Sequence, residues 1–269
     1  MKKILISFIQ DRSGSMSNVW EETLSGFKTY IADMSADQKK DSEVSYLFSL
    51  TTFDTQIDTP YLGVAIDKVD GDILKKFGPR GSTALYDAVG KTLQALDDDK
   101  SLTFDKAIVV IVTDGQENSS REWSKTALHA AIDERIKRGN WTFTYLGTQP
   151  ETWDDANSLG VGVGASATYN AQNAGATYAT MAAASVNMSR GVHASSRSFL
   201  HDNTTRKVRC AVGMSTQKDD EDAVPVGVGV SPSPFVPSTP IPKAVPRMTP
   251  TVPRKPATGS TSSTNRRWK

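Results

Sequence analysis

Asp11, Ser13 and Ser15 form the run Asp-x-Ser-x-Ser, and Thr113-Asp114-Gly115 follows about a hundred residues later. Side chains at i, i+2 and i+4 of a turn can aim three oxygens at one point. Carboxylate and hydroxyl oxygens without His or Cys suit a hard divalent cation, for which Mg²⁺ or Mn²⁺ is the natural choice. Both segments follow short, nearly unbroken apolar stretches, Lys3 to Ile9 and Ala107 to Val112. Such stretches read as strands buried on both faces of a parallel sheet. Ligands of open α/β sheets bind outside the carboxyl ends of the strands, so Asp11 and Asp114 are expected at one sheet edge as halves of a single site.

A third segment, Gly81-Ser82-Thr83-Ala84-Leu85-Tyr86-Asp87-Ala88, leads into a helical pattern. With these three parts in this order the chain resembles the von Willebrand factor A (vWA) family, whose metal-ion-dependent adhesion site combines Asp-x-Ser-x-Ser, a Thr and an Asp. The resemblance covers about residues 1 to 190. It implies Asp11, Ser13, Ser15, Thr83 and Asp114 as metal ligands, with one coordination position left to a Glu or Asp of a partner protein, and binding without turnover. Prokaryotic and phage proteins of this type exist, and many cytosolic relatives are encoded with AAA+ ATPases of the MoxR type. An AAA+ partner, or a place in a larger assembly such as a virion, is thus implied by resemblance alone.

Plainer roles exist for each part. Asp11 to Ser15 could form an ordinary turn, with Ser17 or Asn18 capping the next helix. Ser82 or Thr83 could be a helix N-cap, which is compatible with ligation. Thr113-Asp114-Gly115 is also a common strand-ending turn. Glu117 is either a solvated loop residue or a further carboxylate near the metal. An enzyme reading, a Mg²⁺-dependent hydrolase, lacks support, because no His or Lys stands at the spacing of a general base or phosphate clamp.

Alternating elements must position these residues. After the first strand, Trp20, Leu24, Phe27, Tyr30 and Ile31 recur at helical spacing and predict a helix from Val19 to Met34. A strand from Ser45 to Phe53 follows, then a polar partner strand near Gln56 to Leu62 that reads as an antiparallel edge hairpin. A short helix is expected at Asp70 to Phe77, a turn at Gly78 to Gly81, and a helix at Ala84 to Leu96. Beyond the strand Ala107 to Val112 come a loop at Gln116 to Ser120, a helix at Ser124 to Arg138 and a strand at Thr142 to Leu146. A helix at Glu151 to Leu159, a short strand at Val161 to Val163 and a last helix near Asn173 to Arg190 complete the pattern. The order predicts a doubly wound, mostly parallel, Rossmann-like α/β sheet flanked by helices.

Other signals fail in context. Gly160-Val161-Gly162-Val163-Gly164 lacks the opening strand-turn-helix of a dinucleotide fingerprint, and no P-loop motif is present. His129, His193 and His201 have no G-x-S-x-G elbow beside them, so a catalytic triad is unsupported. Asp11 lacks the second Asp of a D-x-D phosphatase motif. The single cysteine, Cys210, cannot close an intramolecular disulfide.

Composition divides the 269 residues, which carry a net charge of +1. Residues 1 to 190 are expected to form the vWA-like domain, 191 to 224 an extension or linker, and 225 to 269 an extended tail. Ten of the thirteen prolines lie from Pro225 onward, and no acidic residue follows Asp222. Lys243, Arg247, Arg254, Lys255, Arg266, Arg267 and Lys269 leave the tail basic and the remainder acidic. Its P-x-x-P steps, such as Pro234 to Pro237 and Pro253 to Pro256, favour polyproline II. Such a tail could wrap neighbours in a structural or assembly role, or engage an acidic protein surface or nucleic acid. The apolar start Ile4 to Ile9 is shorter than a secretory h-region, and no stretch approaches the roughly 18 residues of a membrane span. A cytoplasmic location, or alternatively a virion, is the expectation, with no membrane partner.

Overall fold

The computed structural model describes residues 1–148, 156–161, 166–170 and 172–191. Among them are six strands and four long helices: β1 (Lys2–Asp11), α1 (Trp20–Lys40), β2 (Val44–Phe53), β3 (Ile57–Ala65), α2 (Leu85–Asp98), β4 (Lys106–Val112), α3 (Lys125–Lys137), β5 (Trp141–Gly147), β6 (Ser166–Thr168) and α4 (Ala174–Ser189). The strands make one sheet in the order β3-β2-β1-β4-β5-β6. Only the β2–β3 pair is antiparallel. This is the doubly wound architecture expected from the alternating pattern, and its edge hairpin lies where the polar strand implied one.

The side-chain alternation of β1 sorts the core into two layers. Ile4, Ile6 and Phe8 face Phe27, Tyr30 and Met34 of α1 and Tyr178 and Met181 of α4. Leu5 and Ile9 face Val89 and Leu93 of α2 and Leu128 and Ile132 of α3. Phe8 sits at the centre of the first layer, with ring centroids 4.9 Å from Tyr30 and 5.6 Å from Phe27 in edge-on contacts. Two glycines allow close approach, of α4 to α1 at Gly26 and of the loop before α3 to α2 at Gly90. A Cβ on Gly26 would lie 2.3 Å from the Tyr178 ring, and one on Gly90 would lie 2.1 Å from the Trp123 indole.

Element boundaries differ from the expectation where polarity hid them. α1 runs six residues past Met34 to Lys40. Met34 is its last buried residue, so the remaining turns carry no apolar stripe, while Lys39 and Lys40 suit a helix C-terminus. The helix expected at Asp70 to Phe77 is only a 3₁₀ turn at Ile73–Lys76, because just Ile73 and Leu74 are buried there and a longer helix would have nothing to cover. Of the helix expected at Glu151 to Leu159, residues 156–158 are helical and 151–155 lie outside the described residues. Most of the strand expected at Val161 to Val163 also lies outside them; the sixth strand described is Ser166–Thr168. The expected segments 191 to 224 and 225 to 269 fall outside the description beyond residue 191.

The far end of α4 is held at the start of the central strands. Lys2 Nζ donates to the Ser189 carbonyl at 2.9 Å and Lys106 Nζ to the Met188 carbonyl at 3.2 Å, so two cations meet the carbonyl end of the helix. Arg190 pairs with Asp37 of α1 at 2.7 Å. Among the described residues no helix is long and apolar enough to cross a membrane.

Candidate metal centre

The strand order reverses between β1 and β4, and the two run parallel with Gln10 opposite Val112. Their next residues therefore emerge side by side at the carboxyl edge, the position where open α/β sheets hold ligands. Asp11 ends β1 with its side chain fully buried. Its Oδ1 accepts from the Ser13 N–H at 2.6 Å and its Oδ2 from the Thr113 hydroxyl at 2.5 Å. Thr113 thus locks the carboxylate of one strand to the end of the other.

The remaining oxygens gather beside it. Ser13 Oγ lies 3.1 Å from Ser15 Oγ, and Ser15 Oγ donates to Asp114 Oδ1 at 2.7 Å. Thr83 arrives from a third loop, tied to the first by hydrogen bonds from Gly14 N to Gly81 O (3.2 Å) and from Arg80 N to Arg12 O (2.8 Å). Gly115 marks the point of convergence. A Cβ placed on it would stand 3.0 Å from Thr83 Oγ1, 3.3 Å from Ser15 Oγ and 3.9 Å from Ser13 Oγ. The structure therefore brings together all five residues singled out in the sequence: Asp11, Ser13, Ser15, Thr83 and Asp114.

Electrostatics mark the cluster as short of positive charge. Burial pushes the Asp11 carboxyl up to about 6 against the hydrogen bonds from Thr113 and Ser13, and the Asp114 charge adds to the rise. Burial also raises Asp114, opposed by the Ser15 hydroxyl. Among the described residues no Lys, Arg or His forms an ion pair with either carboxylate. Arg12, between Asp11 and Ser13 in sequence, instead turns to Asp54 (3.0 Å) and Asp58 (2.5 Å). Among the described residues no group of three or more His, Cys, Asp or Glu is placed to hold a metal ion, so any ion here would depend on the hydroxyls as well as the two carboxylates. Two carboxylates with three hydroxyls form a donor set of hard oxygens, which fits Mg²⁺ or Mn²⁺ and not a soft metal.

Supporting residues appear that spacing did not reveal. Asn118 takes the Thr83 N–H on its Oδ1 at 2.9 Å, and the Asn118 and Ser119 N–H groups both bond the Thr83 carbonyl. Glu117 is half-buried, and its carboxylate is engaged by N–H and hydroxyl groups of its own loop and of α2. It accepts from Ser119 N, Ser120 N and Ser120 Oγ, and from Tyr86 N at 2.9 Å. It thereby caps the start of α2 from another loop, while neither Ser82 nor Thr83 caps it and Ala84 occupies the N-cap position. Asp87 accepts from the backbone N–H groups of Arg121, Glu122 and Trp123 at 2.7 to 2.9 Å. Although burial raises its carboxyl, these bonds hold it below the usual range. Asp54, also buried, is held low by Arg80, the Gln56 N–H and Arg12. Asp87 was visible in the Gly81 to Ala88 segment. Tyr86 as a partner of Glu117, and Arg12 and Arg80 as partners of Asp54, lie too far along the chain for spacing to show them.

No protein-family model and no curated protein sequence matches the chain. Solved structures do resemble it in fold. The pilus adhesin SpaC from Lactobacillus rhamnosus GG superposes with a TM-score of 0.55 at 14% identity, over 70% of this chain and 31% of that one. Proximal thread matrix protein 1 from the mussel byssus gives 0.50 at 14% identity, over 70% and 46%. A von Willebrand factor type A protein from Catenulispora acidiphila gives 0.48 at 17% identity, over 69% and 43%. The chain spans less than half the length of each, and at these identities the likeness is one of fold.

Proposed function

We propose that this protein is a binding module that holds Mg²⁺ or Mn²⁺ through Asp11, Ser13, Ser15, Thr83 and Asp114 and captures a carboxylate of a protein partner there, without turnover. The observation that carries this reading is the convergence of three hydroxyls on Gly115 beside two carboxylates that have no cationic partner among the described residues. A bound ion supplies an electrophilic coordination position that a Glu or Asp side chain can fill. The chain's own residues prepare that position. Thr113 and the Ser13 N–H fix the Asp11 carboxylate, Asn118 fixes Thr83, and Glu117 and Asp87 anchor the loop between Asp114 and α3 to α2.

The geometry favours capture over catalysis, since no His or Lys bonds to any of the five residues among the described hydrogen bonds. Mn²⁺ titration of the full chain tests the first half of the reading. Saturable binding lost on Asp11→Ala is the expected result. Pull-down of protein partners in Mg²⁺, with EDTA and Asp11→Ala as parallel arms, tests the second. A partner retained equally in all three arms refutes carboxylate capture by the metal.

A further inference from the structure

Beside the metal loops lies a cleft of about 550 Å³ whose walls include Arg12, Pro60, Lys76, Phe77 and Arg80. It borders the loops that carry the site, because Arg12 stands between Asp11 and Ser13 in the chain and the Arg80 N–H bonds the Arg12 carbonyl. We propose that this cleft receives a second acidic side chain of the captured segment, so that the partner presents an acidic extended peptide and not an isolated carboxylate. The inference rests on the metal-site reading for the first contact.

Three features of the cleft support that chemistry. The Arg80 guanidinium is pre-aimed: Nε is fixed on Asp54 at 2.7 Å and one terminal nitrogen on Gln56 Oε1 at 2.8 Å, yet the side chain is 58% exposed and keeps N–H groups for a ligand. Holding a planar fork in place lowers the entropy lost when a carboxylate docks. Lys76 is exposed, and it forms no ion pair among the described residues. With Asp54 and Asp58 answering Arg12 and Arg80, Lys76 leaves the cleft with an excess of positive charge. Phe77 and Pro60 supply an apolar wall, with the Phe77 ring already 5.0 Å from the Arg12 guanidinium carbon. A Glu side chain, with an aliphatic stem and an anionic tip, matches that wall and those donors. The neighbouring cleft of about 610 Å³ along α2 is a weaker match, because its charges, Asp87, Lys91, Arg121 and Glu122, cancel and Asp87 is already committed to backbone N–H groups.

The test uses the full chain in Mg²⁺ and two fluorescent peptides of equal length, hexaglutamate and a peptide with one Glu among serines, read by anisotropy. Hexaglutamate is expected to bind at least about fivefold more tightly, the factor that roughly 1 kcal/mol of partly exposed ion pairing gives. Lys76→Glu removes no ion pair among the described residues, and should abolish that preference while leaving Mn²⁺ affinity and single-Glu binding unchanged. Arg80→Gln, with folding checked by circular dichroism, should act in the same direction. A preference that survives both substitutions overturns the proposal, as does failure of hexaglutamate to bind in Mg²⁺. Hexaglutamate binding that EDTA leaves intact but Lys76→Glu abolishes refutes the metal reading and retains the cleft. An oligo-dT that binds more tightly than hexaglutamate and depends on Lys76 assigns the cleft to nucleic acid and overturns the peptide reading.

Discussion

Gly115→Ala is the sharpest probe of the proposed metal centre, since it adds one methyl group where the three hydroxyls meet. Gly115 is not among the glycines with positive φ, so alanine suits the backbone and only space is at issue. The new Cβ would lie 3.0 Å from Thr83 Oγ1 and 3.3 Å from Ser15 Oγ, so these oxygens must withdraw by a few tenths of an ångström. Mg²⁺ tolerates little of this: its ligands sit near 2.0–2.1 Å in close to octahedral geometry, and deviations beyond roughly 0.2 Å mark a poor site. Disturbing the support of metal ligands typically costs about 10- to 100-fold in affinity. The fold should barely respond. Gly115 lies in a half-buried loop, and restricting the unfolded chain gives back about 0.4–1 kcal/mol. Mn²⁺ titration by calorimetry or electron paramagnetic resonance reads the affinity, and thermal unfolding reads the stability. A folded Gly115→Ala protein that binds Mn²⁺ as tightly as the wild type refutes the convergence of Ser13, Ser15 and Thr83 on the ion.

Three further outcomes follow from the scaffold. Gly90→Ala gains about 1 kcal/mol of helix propensity, yet its methyl would overlap the Trp123 indole at 2.1 Å, so a net loss of about 1–3 kcal/mol is expected by chemical denaturation. In a Trp123→Ala background the same substitution should become neutral or stabilising, and a penalty that persists there contradicts the contact. Asp87→Asn weakens three charge-assisted bonds to the backbone and should cost about 2–4 kcal/mol at neutral pH. Because the folded carboxyl titrates below its unfolded value of about 3.9, this stability is present above that pH and disappears as pH falls through the lower folded value. The gap between wild type and Asp87→Asn should therefore close in acid, and a gap independent of pH down to about 2 would show that the ionised carboxylate is not its source. Asp54→Asn leaves buried Arg12 with the half-exposed Asp58 as its one counter-charge among the described residues and should destabilise the fold by about 1–3 kcal/mol. A loss under about 1 kcal/mol would place Arg12 in water and not in the buried network.

The sequence disclosed the site wherever a ligand candidate sat at a strand end or at the head of a helix. Asp11 and Asp114 were legible because apolar runs of one kind preceded both, and neighbouring parallel strands end at one edge. Thr83 was legible through its motif and the helical pattern after it. What stayed hidden was the frame behind these oxygens. Glu117 and Asp87 bond to backbone N–H groups about 30 residues away, and a backbone donor carries no residue signature. Arg12 read as an unspecified spacer, since nothing near it announced Asp54 or Asp58 as partners. The end of α1 past Met34 contains no buried residue and so left no apolar spacing to read, while at Ile73–Lys76 a single buried pair, Ile73 and Leu74, suggested a longer helix than it can sustain.

The clasp of Lys2 and Lys106 on the last carbonyls of α4 fixes where the polypeptide departs. Gly191 leaves from the amino-terminal pole of the strands whose opposite pole carries Asp11, a separation of about 30 Å at ~3.3 Å per strand residue. Tension between a gripped ligand and the onward chain would thus run lengthwise through β1 and β4. Both are flanked by parallel neighbours on either side, so such a load shears many ladder bonds at once and does not peel them singly. On the proposed reading, a partner held at Asp11 and a pull on Gly191 would load opposite poles of the same central strands.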